Sequence, residues 1–83
     1  MPTVAIVEGV AIRFYPDEHP PPHFHAVFEE FAAQIRIEPM EVSRGSLPRR
    51  KLKAVLTWAS QNREGLMDAW IALEAGQKPR KIS

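Results

Sequence analysis

With 83 residues, a formal net charge of +1 and no cysteine, the chain has room for one small core, which at this size supplies only a few kcal/mol of net stability. Disulfide scaffolds and thiolate zinc sites are excluded, and no apolar run is long enough to span a bilayer. Met1-Pro2-Thr3-Val4 lacks the basic-then-apolar profile of a signal peptide, so the expectation is a single cytoplasmic domain over 1–83 with no membrane partner.

The charge is unevenly placed. Residues 1–43 carry two basic side chains, Arg13 and Arg36, against seven acids, a balance of −5. Residues 44–83 carry nine basic side chains against three acids, a balance of +6. The two halves can attract each other, or the basic half can present a face to an acidic protein or nucleic acid.

From Thr3 to Tyr15 the pattern is that of strands. Val4 and Ile6, then Val10, Ile12 and Phe14, alternate with smaller or polar residues, and Gly9 marks a bulge or tight bend. Pro16-Asp17-Glu18 ends the second run. Next comes His19-Pro20-Pro21-Pro22-His23-Phe24-His25, which holds all three histidines of the chain. The prolines fix φ and keep the preceding residues extended, so His19 sits on a stiff lead-in. From His23 to Phe28 the aromatic and branched residues read as a strand, with His23 and His25 on one face and Phe24, Ala26 and Phe28 on the other. A rise of about 3.3 Å per residue sets the two imidazoles roughly 6–7 Å apart at Cβ.

A turn near Glu29-Glu30 leads to Ala32–Glu38, where Ala33, Ile35 and Ile37 alternate with Gln34, Arg36 and Glu38, completing an antiparallel hairpin. Glu41-Val42-Ser43 adds a further short strand, so the sheet and the histidine motif occupy 3–43. A helical pair is predicted over 47–76. Gly45-Ser46-Leu47-Pro48 starts it with Pro48 as the first helical residue, and Leu52, Val55, Leu56 and Ala59 form its buried face. Arg49, Arg50 and Lys51 crowd the first turn, where the helix dipole disfavours cations by about 0.3–1 kcal/mol each. Their compensation is sought in Glu38 and Glu41 or in an anionic partner. Asn62 caps the second helix, Leu66, Ala69, Trp70 and Leu73 form its stripe, Gly76 ends it and Pro79 stops it. Met67 and Ile71, beside that stripe, extend the core or make an oligomer contact. Trp58 and Trp70 are read as core, and the tail over 77–83 is basic and ends as a short edge strand. The fold class is α+β: three to four antiparallel strands covered on one face by two helices.

The order strand, strand, Glu18-His19 with Pro21-Pro22-His23-Phe24-His25-Ala26, strand, Gly45-x-Leu47-Pro48 helix and tryptophan-bearing helix resembles a family of small bacterial and archaeal proteins catalogued as a domain of unknown function. Ile12-Arg13-Phe14-Tyr15, Trp58 and Trp70 extend the likeness over nearly the whole chain; Glu18 stands where the family is expected to carry aspartate. The resemblance implies the toxin half of a two-gene toxin–antitoxin module, with a neighbour-encoded small protein as antitoxin partner.

The motif supports three chemistries. In a metal site, His19, His23 and His25 would supply nitrogens and Asp17 or Glu18 an oxygen, suiting a divalent ion such as zinc, with Tyr15, Arg13 and Gln34 as outer partners. In metal-independent phosphoryl chemistry on RNA, His25 with His23 or His19 would act as base and acid, and Arg13 or Arg36 would meet the phosphate charge. In a plain binding surface, the segment Pro21-Pro22-His23-Phe24-His25 is ordered, Pro21 and Pro22 set a rigid groove, and the histidines bond the backbone or a partner. A non-enzymatic adaptor would instead bind its partner protein or nucleic acid through Arg49, Arg50 and Lys51.

Overall fold

The computed structural model describes residues 3–82; Met1, Pro2 and Ser83, which the domain and leader expectations include, lie outside it. Five strands follow one another in chain order: β1 Thr3–Val7, β2 Val10–Arg13, β3 His23–Phe28, β4 Phe31–Arg36 and β5 Glu41–Ser46. They pair as an antiparallel meander in the order β1-β2-β3-β4-β5. Two helices follow, α1 Arg49–Gln61 and α2 Arg63–Glu74. This is the expected α+β class, with five strands where three to four were anticipated, and the strand that starts at Glu41 runs on through Arg44-Gly45-Ser46.

Strand alternation builds the core. Ile12, Phe24, Ala26, Ala33 and Ile35 are all buried and join Val55, Ala59, Leu66, Ala69 and Trp70 of the helices in one apolar cluster. Full burial of a side chain such as Phe24 contributes roughly 1.5–3 kcal/mol. The opposite face carries Arg13, His25 and Gln34 in direct register.

Three local details depart from the sequence reading. A bulge between Thr3 and Ala5 shifts the β1 register, so that Ala5 rather than Val4 pairs with Ile12, and Ile6 pairs with Ala11 rather than Val10. Ile6 therefore lies on the uncovered face, 71% exposed. Pro48 is the residue before the first helical position, not the position itself, and its carbonyl accepts from the Leu52 amide at 2.9 Å. Asn62 does cap α2 by position, yet its side chain donates to the Trp58 carbonyl at 2.8 Å and so closes α1 rather than opening α2.

Other elements end as their residues dictate. Gly76, at φ 74°, follows α2. Its amide bonds the Leu73 carbonyl and that of Gln77 bonds the Ala72 carbonyl, the paired arrangement that satisfies the last turn of a helix. Among the described residues the tail forms no edge strand, contrary to expectation, and makes one backbone bond to the sheet, from the Ile82 amide to the Val4 carbonyl at 2.7 Å. No helix among the described residues is long and apolar enough to cross a membrane.

The first turn of α1 has no acidic residue. Glu38 pairs instead with Arg63 at 2.8 Å, and Glu41 stands 3.9 Å from Arg36. Lys51 donates to the Glu8 carbonyl at 2.7 Å and lies 4.8 Å from the centroid of the Phe28 ring. Arg49 and Arg50 are exposed, and among the described residues neither makes an ion pair. The compensation expected from Glu38 and Glu41 is thus not present.

Candidate functional site

The site is built from the connection between β2 and β3 and the first half of β3. After Phe14, which is buried and anchors the chain, Asp17 adopts a left-handed conformation at φ 62°. Glu18 follows with its carboxylate directed back onto β3. The proline run then returns the backbone to the sheet, where the Ile37 amide bonds the Pro22 carbonyl at 3.1 Å and leads into β3.

Because His23 and His25 are two apart on a strand, they share a face, with ring centroids 5.4 Å apart. Glu18 joins them through one oxygen. Its Oε1 is hydrogen-bonded to His25 Nε2 and lies 3.2 Å from His23 Nε2. One ligand-competent atom from each of Glu18, His23 and His25 lies within 4.8 Å of the others. His19 is exposed and stands outside this group. The prolines that stiffen its surroundings hold it away from the other two imidazoles. Of the two carboxylates considered from the sequence, the cluster contains Glu18 and not Asp17.

The two histidines are held from behind. His23 is only 6% exposed. Its Nδ1 donates to the Pro21 carbonyl at 2.8 Å, and the Trp70 ring lies 5.1 Å from its own. His25 meets the edge of Tyr15 at 4.3 Å between centroids and remains 21% exposed, with Glu18 27% exposed. Burial opposes ionisation of Glu18, but the hydrogen bond to His25 and the nearby charge of His25 and His23 outweigh it and hold the carboxyl below its ordinary range.

A cleft of about 240 Å³, lined by Tyr15, Asp17, Glu18, Trp70, Leu73 and Glu74, opens beside the cluster. Water and a small group can therefore reach it. Trp70, Leu73 and Glu74 were not identifiable as site residues from the sequence, where Trp70 and Leu73 read as core stripe. Trp70 is core, at 5% exposure, and forms the wall of the site as well.

The sheet also brings the arginines near. Arg13 is the cross-strand partner of His25, and its Nε donates to Thr3 Oγ1 at 3.2 Å. Arg36 is the cross-strand partner of His23, and its buried Nε has no hydrogen-bond partner among the described residues. Gln34 is in register with His25 on one side and with Arg44 on the other. Arg49, Arg50 and Lys51 belong to α1 and are not among the residues that line the cleft.

No curated protein and no solved structure shows a significant match to the chain. A family model does match, over residues 9–71, a span that takes in β2 through most of α2 and includes every member of the cluster. The chain belongs to the family described as Domain of unknown function (DUF4160).

Proposed function

We propose that this protein is the toxin component of a two-protein bacterial module and that it acts on RNA at the Glu18–His23–His25 centre. The observation that carries this reading is the cross-strand register of the histidines with arginines, His25 opposite Arg13 and His23 opposite Arg36. Directly opposed residues of antiparallel strands have Cβ atoms about 4.5–5.5 Å apart. A phosphodiester lying against this face would meet guanidinium groups and the centre that activates the attacking oxygen at the same time.

The test is expression of the chain without its partner. His25→Ala should abolish growth inhibition and loss of cellular RNA while the purified variant keeps the wild-type fold by circular dichroism. A variant that folds and stays fully toxic refutes the assignment.

A second reading, a non-enzymatic adaptor, is favoured by one observation: Arg49 and Arg50 lie exposed at a helix start with no acidic neighbour in the first turn. In that reading they dock a neighbour-encoded small protein or nucleic acid, and Arg49→Glu with Arg50→Glu weakens the complex at least tenfold. Unchanged affinity removes it.

A further inference from the structure

We infer that Glu18, His23 and His25 form a binding site for a divalent first-row metal ion of the zinc class, with Glu18 Oε1, His23 Nε2 and His25 Nε2 as ligands. The inference deepens the proposed function by naming the agent at the centre, and it rests on that reading only for the use to which the ion is put.

The hydrogen bonds of His23 carry the argument. The Pro21 carbonyl can only accept, so the 2.8 Å contact places a proton on His23 Nδ1. In the neutral ring Nε2 then bears a lone pair. That atom is buried and has no hydrogen-bond partner among the described residues. It nevertheless stands 3.2 Å from a carboxylate oxygen, outside the alignment of an N–H···O bond. The two electron pairs face each other across 3.2 Å, an arrangement that a cation between them relieves. A metal ion meets both, and needs no N–H to be aligned.

The spacing agrees with this. Zinc takes imidazole nitrogen and carboxylate oxygen at about 2.0–2.2 Å, so two ligands of a tetrahedral ion sit about 3.3 Å apart. The His23–Glu18 separation of 3.2 Å is such an edge. The contact of His25 with Glu18 is a hydrogen bond. On binding, the ion replaces that proton, which moves to Nδ1 of His25 or to solvent. The backbone carbonyl behind His23 is also the outer partner that metal-bound histidines generally have, fixing which nitrogen faces the ion.

The donor set selects the class of ion. Two imidazoles and one carboxylate suit zinc and its first-row neighbours, whereas calcium and magnesium prefer oxygen cages. Three protein ligands beside an open cleft leave a coordination position for water, the pattern of reactive rather than purely structural zinc. A bound water of lowered pKa would be the nucleophile for a phosphodiester, with Arg13 and Arg36 on the same sheet face.

The experiment is zinc titration of chelator-treated protein carrying no histidine tag, followed by calorimetry and by imidazole ¹⁵N spectra. One equivalent should bind and move the Nε2 resonances of His23 and His25 but not those of His19. His25→Ala and Glu18→Ala, both partly exposed positions, should each weaken binding more than about 100-fold, beyond the loss that an outer partner causes. His19→Ala should bind as wild type does. Absence of binding, or binding that survives His25→Ala or is lost only with His19→Ala, overturns the site. Toxicity is scored separately: zinc bound at these residues in a non-toxic protein leaves the site standing and removes the RNA reading alone.

Discussion

The two faces of the sheet come from the same strands and share little else. On the face beneath the helices, Ile12, Phe24, Ala26 and Ile35 are closed off from water. On the other, Arg13, His25 and Gln34 stand in one cross-strand row. β3 contributes to both within six residues. The covered face holds the fold together through apolar area, and it frees the uncovered face to carry groups that cost stability or add little to it. His23 is the exception, since the wall supplied by Trp70 buries it on the polar side. A site can be built there because half the strand is already committed elsewhere.

That division can be broken most severely at Phe24. Phe24→Ala should cost about 3–5 kcal/mol, the range for removing a fully buried aromatic ring, read as a fall in the denaturant midpoint. A loss under about 1 kcal/mol would mean that the helices do not seal this face as described. Gly45→Ala comes next. Gly45 is at φ +76°, and an added Cβ would lie 2.2 Å from the Ala32 carbonyl oxygen. Left-handed backbone alone costs about 1–2 kcal/mol for a residue with a Cβ, and the clash with backbone adds to it. Thermal unfolding of this variant measures how firmly β5 is fixed to β4.

The uncovered face gives smaller effects on stability and larger ones on function. His25→Ala should change unfolding free energy by no more than about 1.5–3 kcal/mol, the range for a hydrogen bond to a charged group, while removing both zinc affinity and toxicity. Chemical denaturation run alongside the zinc titration checks the two together, and a large loss of stability would place His25 with the core instead. Smallest of all is Ile6→Thr. At 71% exposure, the change should stay within about 0.5 kcal/mol in either direction. A greater cost in the isolated chain would show that Ile6 is covered in solution, as self-association would cover it, and sedimentation would detect that directly.

Much of this was legible in the chain. Period-two alternation placed His23 and His25 opposite Phe24 and Ala26, and the apolar stripe of α2 placed Leu66, Ala69 and Trp70 in the core, because both depend on near-neighbour geometry. Whether Asp17 or Glu18 faces the histidines depends on the path of an irregular connection, and periodicity does not describe such a path. Counting His19 with the other two followed from closeness in sequence, which the stiff intervening prolines do not convert into closeness in space. The β1 bulge has no signal in the sequence, where Val4 and Ile6 simply alternate with their neighbours. The packing of Trp70 on His23 joins residues far apart in the chain, and no local pattern encodes it.

A meander leaves two outer margins, and the bond from the Ile82 amide to the Val4 carbonyl bears on one of them. Unpaired strand borders invite neighbouring molecules to add on and polymerise. Here the terminal segment meets the β1 border at Val4. The β5 border has the sequence Glu41-Val42-Ser43-Arg44-Gly45-Ser46, largely polar and bent at its glycine, which makes a poor template for stacking. Deleting the last few residues would therefore test colloidal behaviour, by exposing a border whose own side chains offer little deterrent.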